Sequence, residues 1–310
     1  MLFYKYRIEV TSAEKEQYQA SLKHPDVEEP IDLRFYRPCG FRLALLGQRF
    51  HWTPNQITIA SIFLGVGCGL LCYPQSLWLN LLAIVLLILA DICDSADGQL
   101  ARLTKQYSAL GRILDGAAGD IWFITIYFAI FFRMYPEWGM WGLLLGIMAG
   151  LSHRQQAALA DYYRQIHLLM AKLASGSART MSEFTTLSQE QQKMEKLSFR
   201  SQPVETIFQW FYVGYTRFQE SQTPRWQSLR KSLSESEKLT PEFAEKFRIQ
   251  SRPLMPIANA LTFNCRAITL FVSLMLGLPW LYWMAEITVF NGLYYYMNRR
   301  HEKICREIQH

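Results

Sequence analysis

Three aspartates form the strongest chemical pattern in this sequence. Asp94 and Asp97 lie three residues apart, and Asp115 follows in the next apolar stretch. Residues three positions apart share one face of a helix. A second, antiparallel helix would begin with Asp115 at the same depth. Clustered carboxylates repel one another, and a divalent cation removes that repulsion. Ligands made only of oxygen favour Mg²⁺ or Mn²⁺ over zinc, so the pattern predicts a metal site.

The residues around these aspartates are small or basic. Gly98 and Ala101 fall on the same helical face as the first two aspartates, and Gly111 comes one turn before the third. Small side chains would let a large, flat ligand such as a nucleotide approach the backbone. Arg102 directly follows Ala101. Its guanidinium group can bind phosphate oxygens with two parallel hydrogen bonds. The pattern therefore predicts a site for a metal and a nucleotide phosphate together.

The elements that carry these residues are predicted to cross a membrane. A spanning helix needs about 20 mostly apolar residues. Six stretches come close to this length: Gln56–Tyr73, Leu77–Ile92, Ile113–Phe132, Trp138–Leu159, Pro256–Leu278 and Pro279–Asn298. Gly65, Gly67 and Gly69 form a small-residue face in the first stretch, which is typical of helix packing. The predicted fold class is an all-α integral membrane protein with six transmembrane helices.

The composition excludes several other classes of protein. The 310 residues are 50% apolar and carry a formal net charge of +6, which rules out disordered, collagen-like and disulfide-framework chains. The six cysteines are scattered, without a C-x2-C pair or a Cys/His cluster, so no zinc site is predicted. In a membrane protein, positive charge reflects topology and anionic lipid. The expected partner is therefore a lipid bilayer and not nucleic acid.

The positive charges also predict the topology. Lys and Arg concentrate in both tails, after the second span and in a long polar insert, so we expect these parts and the active site to be cytoplasmic. The segment Tyr36–Trp52 is predicted to form an amphipathic helix on the membrane surface. Thr53 and Pro54 then predict the start of the first span. The chain thus divides into an N-terminal segment, four spans with the catalytic motif, a cytoplasmic helical insert, and two final spans with the tail: 1–52, 53–160, 161–252 and 253–310.

The motif D-x2-D-G-x2-A-R-x8-G-x3-D, which runs from Asp94 to Asp115, resembles that of the CDP-alcohol phosphotransferase (CDP-alcohol phosphatidyltransferase) family of integral membrane enzymes. The upstream P-N-x2-T run, Pro54 to Thr58, is similar to the start of the family's first helix. This resemblance covers roughly residues 35–160 and does not extend to the insert. It implies that an alcohol hydroxyl attacks the β-phosphorus of a CDP-linked donor, either CDP-diacylglycerol or a CDP-alcohol, and that CMP leaves.

The resemblance also implies roles for single residues. Two Mg²⁺ or Mn²⁺ ions would be bridged by Asp94 and Asp115, and Asp97 would bind one of them. Asp120 is our candidate for the fourth carboxylate of the site. Three of these, Asp94, Asp115 and Asp120, would be the catalytic residues. The CDP moiety would be held by Pro54, Asn55, Gln56, Ile57, Gly98, Ala101, Arg102, Ser108 and Gly111. The implied partners are the CDP-linked substrate, a lipid and an alcohol acceptor in phospholipid, inositol-lipid or sphingolipid synthesis, and a second copy in a homodimer.

One position departs from the family motif. The family has a further aspartate four residues after the third, as metal ligand and general base, whereas this chain has Gly119 there and Asp120 one residue later. In a regular helix this shift rotates the carboxylate by about 100°. Three explanations stay open. A π-bulge, which we favour, would restore the position of Asp120; Asp91 would replace the missing acid from the other helix; or the base lies elsewhere, with His153 the best candidate.

Basic residues near the cytoplasmic ends of the spans are candidates for binding a phosphorylated acceptor: Arg112, His153, Arg154 and Arg266. Positive-inside topology accounts for each of them about equally well. Two other functions also stay open. A membrane phosphatase or pyrophosphatase would use the same metals with water as the nucleophile. A divalent-cation transporter would use the three aspartates as its ion site.

Overall fold

The computed structural model describes residues 12–178, 180–181, 184–235 and 239–309. Within these ranges every regular element is a helix, and no strand is present. The predicted all-helical class is confirmed. The chain forms two compact units, Met1–Ala129 and Ile130–His310.

The first unit, Met1–Ala129, contains four helices and the start of a fifth. Their bounds are α1 Ser12–Ser21, α2 Arg37–Arg49, α3 Pro54–Cys72, α4 Leu77–Thr104 and α5, which begins at Ala109. A 3₁₀ helix at Pro25–Val27 and a π-helix at Asp32–Tyr36 lie between α1 and α2. The amphipathic helix predicted at Tyr36–Trp52 corresponds to α2, and its location on a membrane surface stays a prediction.

The start of α3 is fixed by side chains that the sequence singles out. Thr53 Oγ1 accepts a hydrogen bond from the Gln56 backbone N–H, and Gln56 Oε1 accepts one from the Thr53 N–H at 2.8 Å. This capping box satisfies two donors that the first turn leaves without helical partners. Pro54 occupies the first helical turn, where its missing N–H costs nothing.

Two glycines bring α3 against α5. A Cβ atom on Gly65 would lie 2.0 Å from Trp122 Cδ1, and one on Gly69 would lie 2.5 Å from Thr125 Cγ2. Any side chain at these positions would therefore push the helices apart. The small-residue face of α3 packs against its neighbour as the sequence suggests, and this close packing brings together the helices that carry the candidate site.

The second unit, Ile130–His310, contains the remainder of α5, the insert and the C-terminal helices. Helix α5 ends at Ala174, and Gly139 interrupts it with φ +50° and ψ −137° between the third and fourth predicted spans. The insert and the C-terminal part contain α6 Leu187–Glu195, α7 Pro203–Ser221, α8 Pro224–Glu235, α9 Pro241–Ser251, α10 Met255–Ala260, α11 Phe263–Met275, α12 Trp280–Ala285 and α13 Asn291–Gln309. A π-helix, Glu286–Phe290, joins α12 to α13.

Four helical segments among the described residues are long and apolar enough to cross a membrane: Pro54–Cys72, Leu77–Thr104, Leu114–Ala174 and Pro241–Met275. These segments indicate an integral membrane protein. The third is 61 residues long and contains most of two predicted spans, Ile113–Phe132 and Trp138–Leu159. The sixth predicted span, Pro279–Asn298, is not among the four, and the structure divides it by the π-helix. Six spans therefore stay a prediction.

Candidate active site

The three aspartates of the motif come together in the first unit. One carboxylate oxygen from each of Asp94, Asp97 and Asp115 lies within 4.8 Å of the others. Asp97 is 4% exposed, Asp94 is half-buried and Asp115 is exposed. The cluster is therefore open on the side of α5. Three acidic oxygens at this separation fit a hard divalent cation, because such ions take oxygen ligands and offset the mutual repulsion.

Thr58 on α3 orients the most deeply buried of these acids. Its Oγ1 donates a hydrogen bond to Asp97 Oδ2 at 2.5 Å. A fixed carboxylate keeps its second oxygen at a defined position, as carboxylates that ligate metals generally do. Sequence reasoning did not assign Thr58 a role, although the threonine that ends the P-N-x2-T run was the available signal.

The start of α3 and the start of α5 meet at Gly111. A Cβ atom on Gly111 would lie 2.6 Å from Asn55 Oδ1 and 2.8 Å from Ser108 Oγ. Ser108 Oγ also accepts a hydrogen bond from the Gly111 N–H at 2.8 Å. The glycine is therefore required for this approach. Asn55, Ser108 and Gly111, which are three of the expected CDP-binding residues, form one polar corner of the site.

Arg102 lies over Gly98. A Cβ atom on Gly98 would lie 3.5 Å from Arg102 Nη1. The Nε atom of Arg102 donates to the Ser21 carbonyl at 2.7 Å, whereas its Nη2 atom is buried without a hydrogen-bond partner among the described residues. A buried guanidinium nitrogen without an acceptor is costly, and a phosphate oxygen would satisfy it. Arg102 follows Gly98 by one helical turn.

The N-terminal segment packs against the motif helix α4. Arg37 Nη1 donates to Ser95 Oγ at 3.1 Å, and its Nε atom pairs with Glu28 Oε2, also at 3.1 Å. Burial, and after it nearby carboxylates led by Asp91, raise the pKa of the Tyr36 phenol. Arg37 and Ser95 were missed at the sequence level. No local pattern links them, because the contact joins positions 58 residues apart.

The comparison with known proteins decides the family. The family model described as CDP-alcohol phosphatidyltransferase matches residues 51–215, which is more than half of the chain. The chain belongs to the CDP-alcohol phosphatidyltransferase family. The match confirms the resemblance and extends it into the insert. A search of curated proteins found no significant match.

Membership of this phosphotransferase family implies transfer of a phosphate group from a CDP-alcohol to an acceptor, and it supports a role in phospholipid biosynthesis. The family is generally dependent on divalent metal, and the cluster of Asp94, Asp97 and Asp115 provides suitable ligands.

The fourth acid of the family motif is not restored by a bulge. Helix α5 is regular α-helix through Gly116–Asp120, so the π-bulge that we favoured is wrong. At about 100° per residue, Asp120 lies about 140° around the helix from Asp115. Asp120 is exposed and does not join the group of three aspartates. Asp91 is half-buried and lies one turn before Asp94, on the same side of α4 as the cluster.

The expected acceptor-binding residues have different surroundings. Arg154 is exposed on α5, and the side chain of Arg112 lies outside what the structure describes. In the second unit, His153 Nδ1 lies 3.7 Å from Glu286 Oε1. Arg266 is 1% exposed and donates from Nε to Glu286 Oε1 at 3.0 Å.

Other donors of Arg266 are also used inside the protein. Its Nη2 donates to Gln156 Oε1 at 2.6 Å, and its Nη1 donates to the carbonyls of Leu261 and Thr262. All three guanidinium nitrogens are therefore occupied. Four of its five N–H donors are thus used inside the protein, and the acceptor role expected for Arg266 stays a prediction.

The structure also corrects the expectation that no Cys/His cluster exists. His301, Glu302 and Cys305 on α13 offer ligand atoms within 4.8 Å of one another. Their spacing along one helix was the available signal. Tyr163 stacks on the His301 ring at 3.9 Å, so the imidazole is also a core side chain. None of the six cysteines, all of which lie in the described ranges, forms a disulfide.

Proposed function

We propose that this chain is a Mg²⁺- or Mn²⁺-dependent membrane transferase that moves a substituted phosphate from a CDP-linked donor to an alcohol acceptor and releases CMP. The donor is either CDP-diacylglycerol or a soluble CDP-alcohol. The product belongs to phospholipid, inositol-lipid or sphingolipid synthesis. The single observation that carries the proposal is the convergence of Asp94, Asp97 and Asp115 within a chain of this family.

The acidic cluster would hold two divalent ions, and its chemistry supports this choice of cofactor. All three ligands are carboxylates, which suits Mg²⁺ or Mn²⁺ better than a thiophilic ion. Bound divalent ions would neutralise the pyrophosphate and stabilise the leaving oxygen. The hydrogen bond from Thr58 keeps Asp97 in a fixed orientation for this task.

The nucleotide would be placed by the residues around the cluster. The unpartnered Nη2 of Arg102 would donate to a phosphate oxygen of CDP. Asn55, Ser108 and Gly111 form a polar corner that would contact the CDP moiety, and the absence of a side chain at Gly111 lets Asn55 and Ser108 come together there. Transfer of a phosphate group depends on positioning and charge stabilisation more than on covalent chemistry, which fits these residues.

The proton of the attacking hydroxyl needs an acceptor. Asp91 and Asp120 are the two carboxylates near the motif that stand outside the metal-binding group. With no bulge in α5, Asp91 is the better supported base because it shares a side of α4 with the cluster. Loss of a general base lowers turnover by about 10² to 10⁴. Turnover of Asp91→Asn and Asp120→Asn, measured side by side at saturating metal, assigns the role: the variant that retains near-wild-type turnover loses its candidacy.

One assay tests the function itself. The purified chain in nanodiscs is incubated with Mg²⁺, a panel of CDP-linked donors and a panel of alcohols, and the lipids and CMP are measured by mass spectrometry. We expect CMP release that requires both the metal and an alcohol. Release of CMP or phosphate without an alcohol would indicate a phosphatase or pyrophosphatase. Metal flux into proteoliposomes without CMP would indicate a transporter.

The orientation in the membrane and the oligomeric state belong to the same proposal. The Lys and Arg distribution supports a cytoplasmic location for both termini, the insert and the aspartates. We also propose a homodimer, which cross-linking in native membranes would detect.

A further inference from the structure

A basic and aromatic patch lies on the outer face of α13, in the second unit. Five side chains line a surface concavity of about 550 Å³: Tyr295, Tyr296, Arg299, Arg300 and Lys303. We call them the α13 patch. Tyr295 is 61% exposed and Tyr296 is 56% exposed. Two large aromatic rings on a surface need an explanation when cations lie one helical turn away.

The opposite face of α13 is buried and fixes the orientation of the helix. The side chains of this inner face are at most 4% exposed: Tyr294, Met297, His301, Ile304 and Cys305. Two hydrogen bonds add to the packing: Tyr163 Oη donates to Asn298 Oδ1 at 2.8 Å, and Tyr294 Oη donates to Gln222 Oε1 at 3.1 Å. Because the inner face cannot rotate away, the α13 patch is held at the surface.

The charges of the α13 patch are largely uncompensated. Lys303 Nζ lies 3.5 Å from Glu307 Oε1, and both side chains are about half exposed. For Arg299 and Arg300, the part of the chain that the structure describes contains no carboxylate within salt-bridge distance. Two adjacent guanidinium groups are therefore available to an anion. Their bidentate geometry suits a phosphate group.

The position of the α13 patch along the helix indicates where that anion comes from. The preceding π-helix exposes Val289 at 60%, which is a surface suited to lipid tails. Tyrosines follow and then arginines, which is the order found where a helix leaves the hydrocarbon and enters the headgroup layer. Basic clusters directly after such a segment attract anionic lipids of the cytoplasmic leaflet.

We propose that the α13 patch binds the phosphate headgroup of an anionic phospholipid, with Tyr295 and Tyr296 at the level of the glycerol backbone and with Arg299 and Arg300 on the phosphate. This lipid would be a bound neighbour and not a substrate. The proposal does not depend on the proposed function. A basic residue near an anionic membrane surface contributes about 5-fold to the binding constant, so the two arginines together contribute roughly 25-fold.

The test measures lipid binding directly. The purified chain in detergent is titrated with phosphatidylglycerol and with phosphatidylcholine, and native mass spectrometry counts the bound lipids. The variant R299Q/R300Q removes two charges from the α13 patch. The matched control K196Q/R200Q removes two charges from the exposed connection between α6 and α7. We expect R299Q/R300Q to weaken phosphatidylglycerol binding about 25-fold and the control to leave it unchanged.

Three results would overturn the proposal. An equal loss of phosphatidylglycerol binding in both double variants would show that binding depends on the net charge of the protein and not on a specific site. If the wild-type chain bound phosphatidylglycerol and phosphatidylcholine equally well, an anionic phospholipid would be excluded as the specific ligand. Full competition by millimolar inorganic phosphate would show a simple anion site without lipid recognition. The variant R299K/R300K keeps both charges and is expected to retain most of the binding. If it loses binding while its melting temperature is unchanged, the contact requires guanidinium groups, which supports bidentate recognition.

Discussion

Asp97 in the unit Met1–Ala129 and Glu286 in the unit Ile130–His310 are both nearly inaccessible to solvent, at 4% and 0% exposure. Asp97 shares its surroundings with two further acids and receives a neutral hydrogen bond from Thr58. No salt bridge to Asp97 exists among the described residues. Glu286 instead pairs with Arg266 at 3.0 Å and lies 3.7 Å from His153.

The difference separates two uses of a buried charge. A carboxylate with a built-in cation is electrostatically complete, and it ties together the helices that carry the two partners. Carboxylates that face one another are incomplete, because burial makes their repulsion stronger than in water. Such a cluster is stabilised when a cation from solution, or a proton, offsets this repulsion. The first arrangement is structural, and the second prepares a site for a divalent metal.

The largest effect is expected for Asp97→Asn. This change removes a metal-binding oxygen while keeping the size of the side chain, and several kcal/mol of charge stabilisation correspond to a loss of about 10³ or more in turnover. Metal-assisted binding of CDP, measured by titration calorimetry, should disappear as well. If the variant bound CDP with metal as the wild type does, the acidic cluster would be dispensable, and the contrast between Asp97 and Glu286 would not hold.

The change Glu286→Gln tests the other half of the comparison. Removing one partner of a buried ion pair leaves the other charge uncompensated, which costs about 3–5 kcal/mol of folding free energy. We expect a marked drop in the melting temperature in detergent, with unchanged metal binding by the folded fraction. Loss of metal binding at full stability would mean that Glu286 belongs to the site and not to the scaffold.

A smaller effect is expected for Thr58→Val, which keeps the shape of the side chain and removes its hydroxyl. A hydrogen bond to a charged group contributes about 1.5–3 kcal/mol. Loss of that orientation should raise the metal concentration needed for half-maximal activity by roughly tenfold to a hundredfold. Thr262 of the second unit, whose Oγ1 donates to the Asn259 carbonyl, provides a control at which Thr→Val should leave the metal requirement unchanged.

The smallest effect concerns His301, a buried group of the second unit that forms no salt bridge with any of the described residues. Burial lowers the pKa of His301 to about 3, while the unfolded chain keeps a value near 6.5. Between these values the unfolded state binds the proton, so stability falls as the pH drops below about 6.5. At pH 5.5 the cost is about 1.4 kcal/mol. His301→Gln should flatten this part of the stability profile in denaturant titrations, and a profile identical to wild type would remove His301 as the cause.

The site was predictable where its residues lie close together in the sequence. The spacing of Asp94 and Asp97 fixes a shared helical face, and Thr53 with Pro54 fixes the start of α3. Both depend on the geometry of one helix. The approach of Asp115 could be predicted only because a short connection joins two adjacent helices.

Contacts between distant segments were not predictable. The bond from Arg37 to Ser95 depends on how α2 packs against α4, and the pairing of Arg266 with Glu286 joins residues on either side of a helix break. The regular turn at Asp120 also contradicts the bulge that we favoured, because sequence periodicity does not reveal whether a helix absorbs an extra residue. Hydropathy likewise could not show that a π-helix divides the last apolar stretch.

The carbonyl of Ser21 holds one side of the Arg102 guanidinium, and the Ser21 hydroxyl accepts a hydrogen bond from Gln99. The C-terminal end of α1 therefore anchors Arg102, whose unpartnered Nη2 would donate to the diphosphate in the proposed function. Shortening the polypeptide beyond this serine would leave the arginine free to turn. Nucleotide affinity would then weaken although every motif residue was intact. The residues of α1 therefore contribute to nucleotide binding although they lie outside the motif.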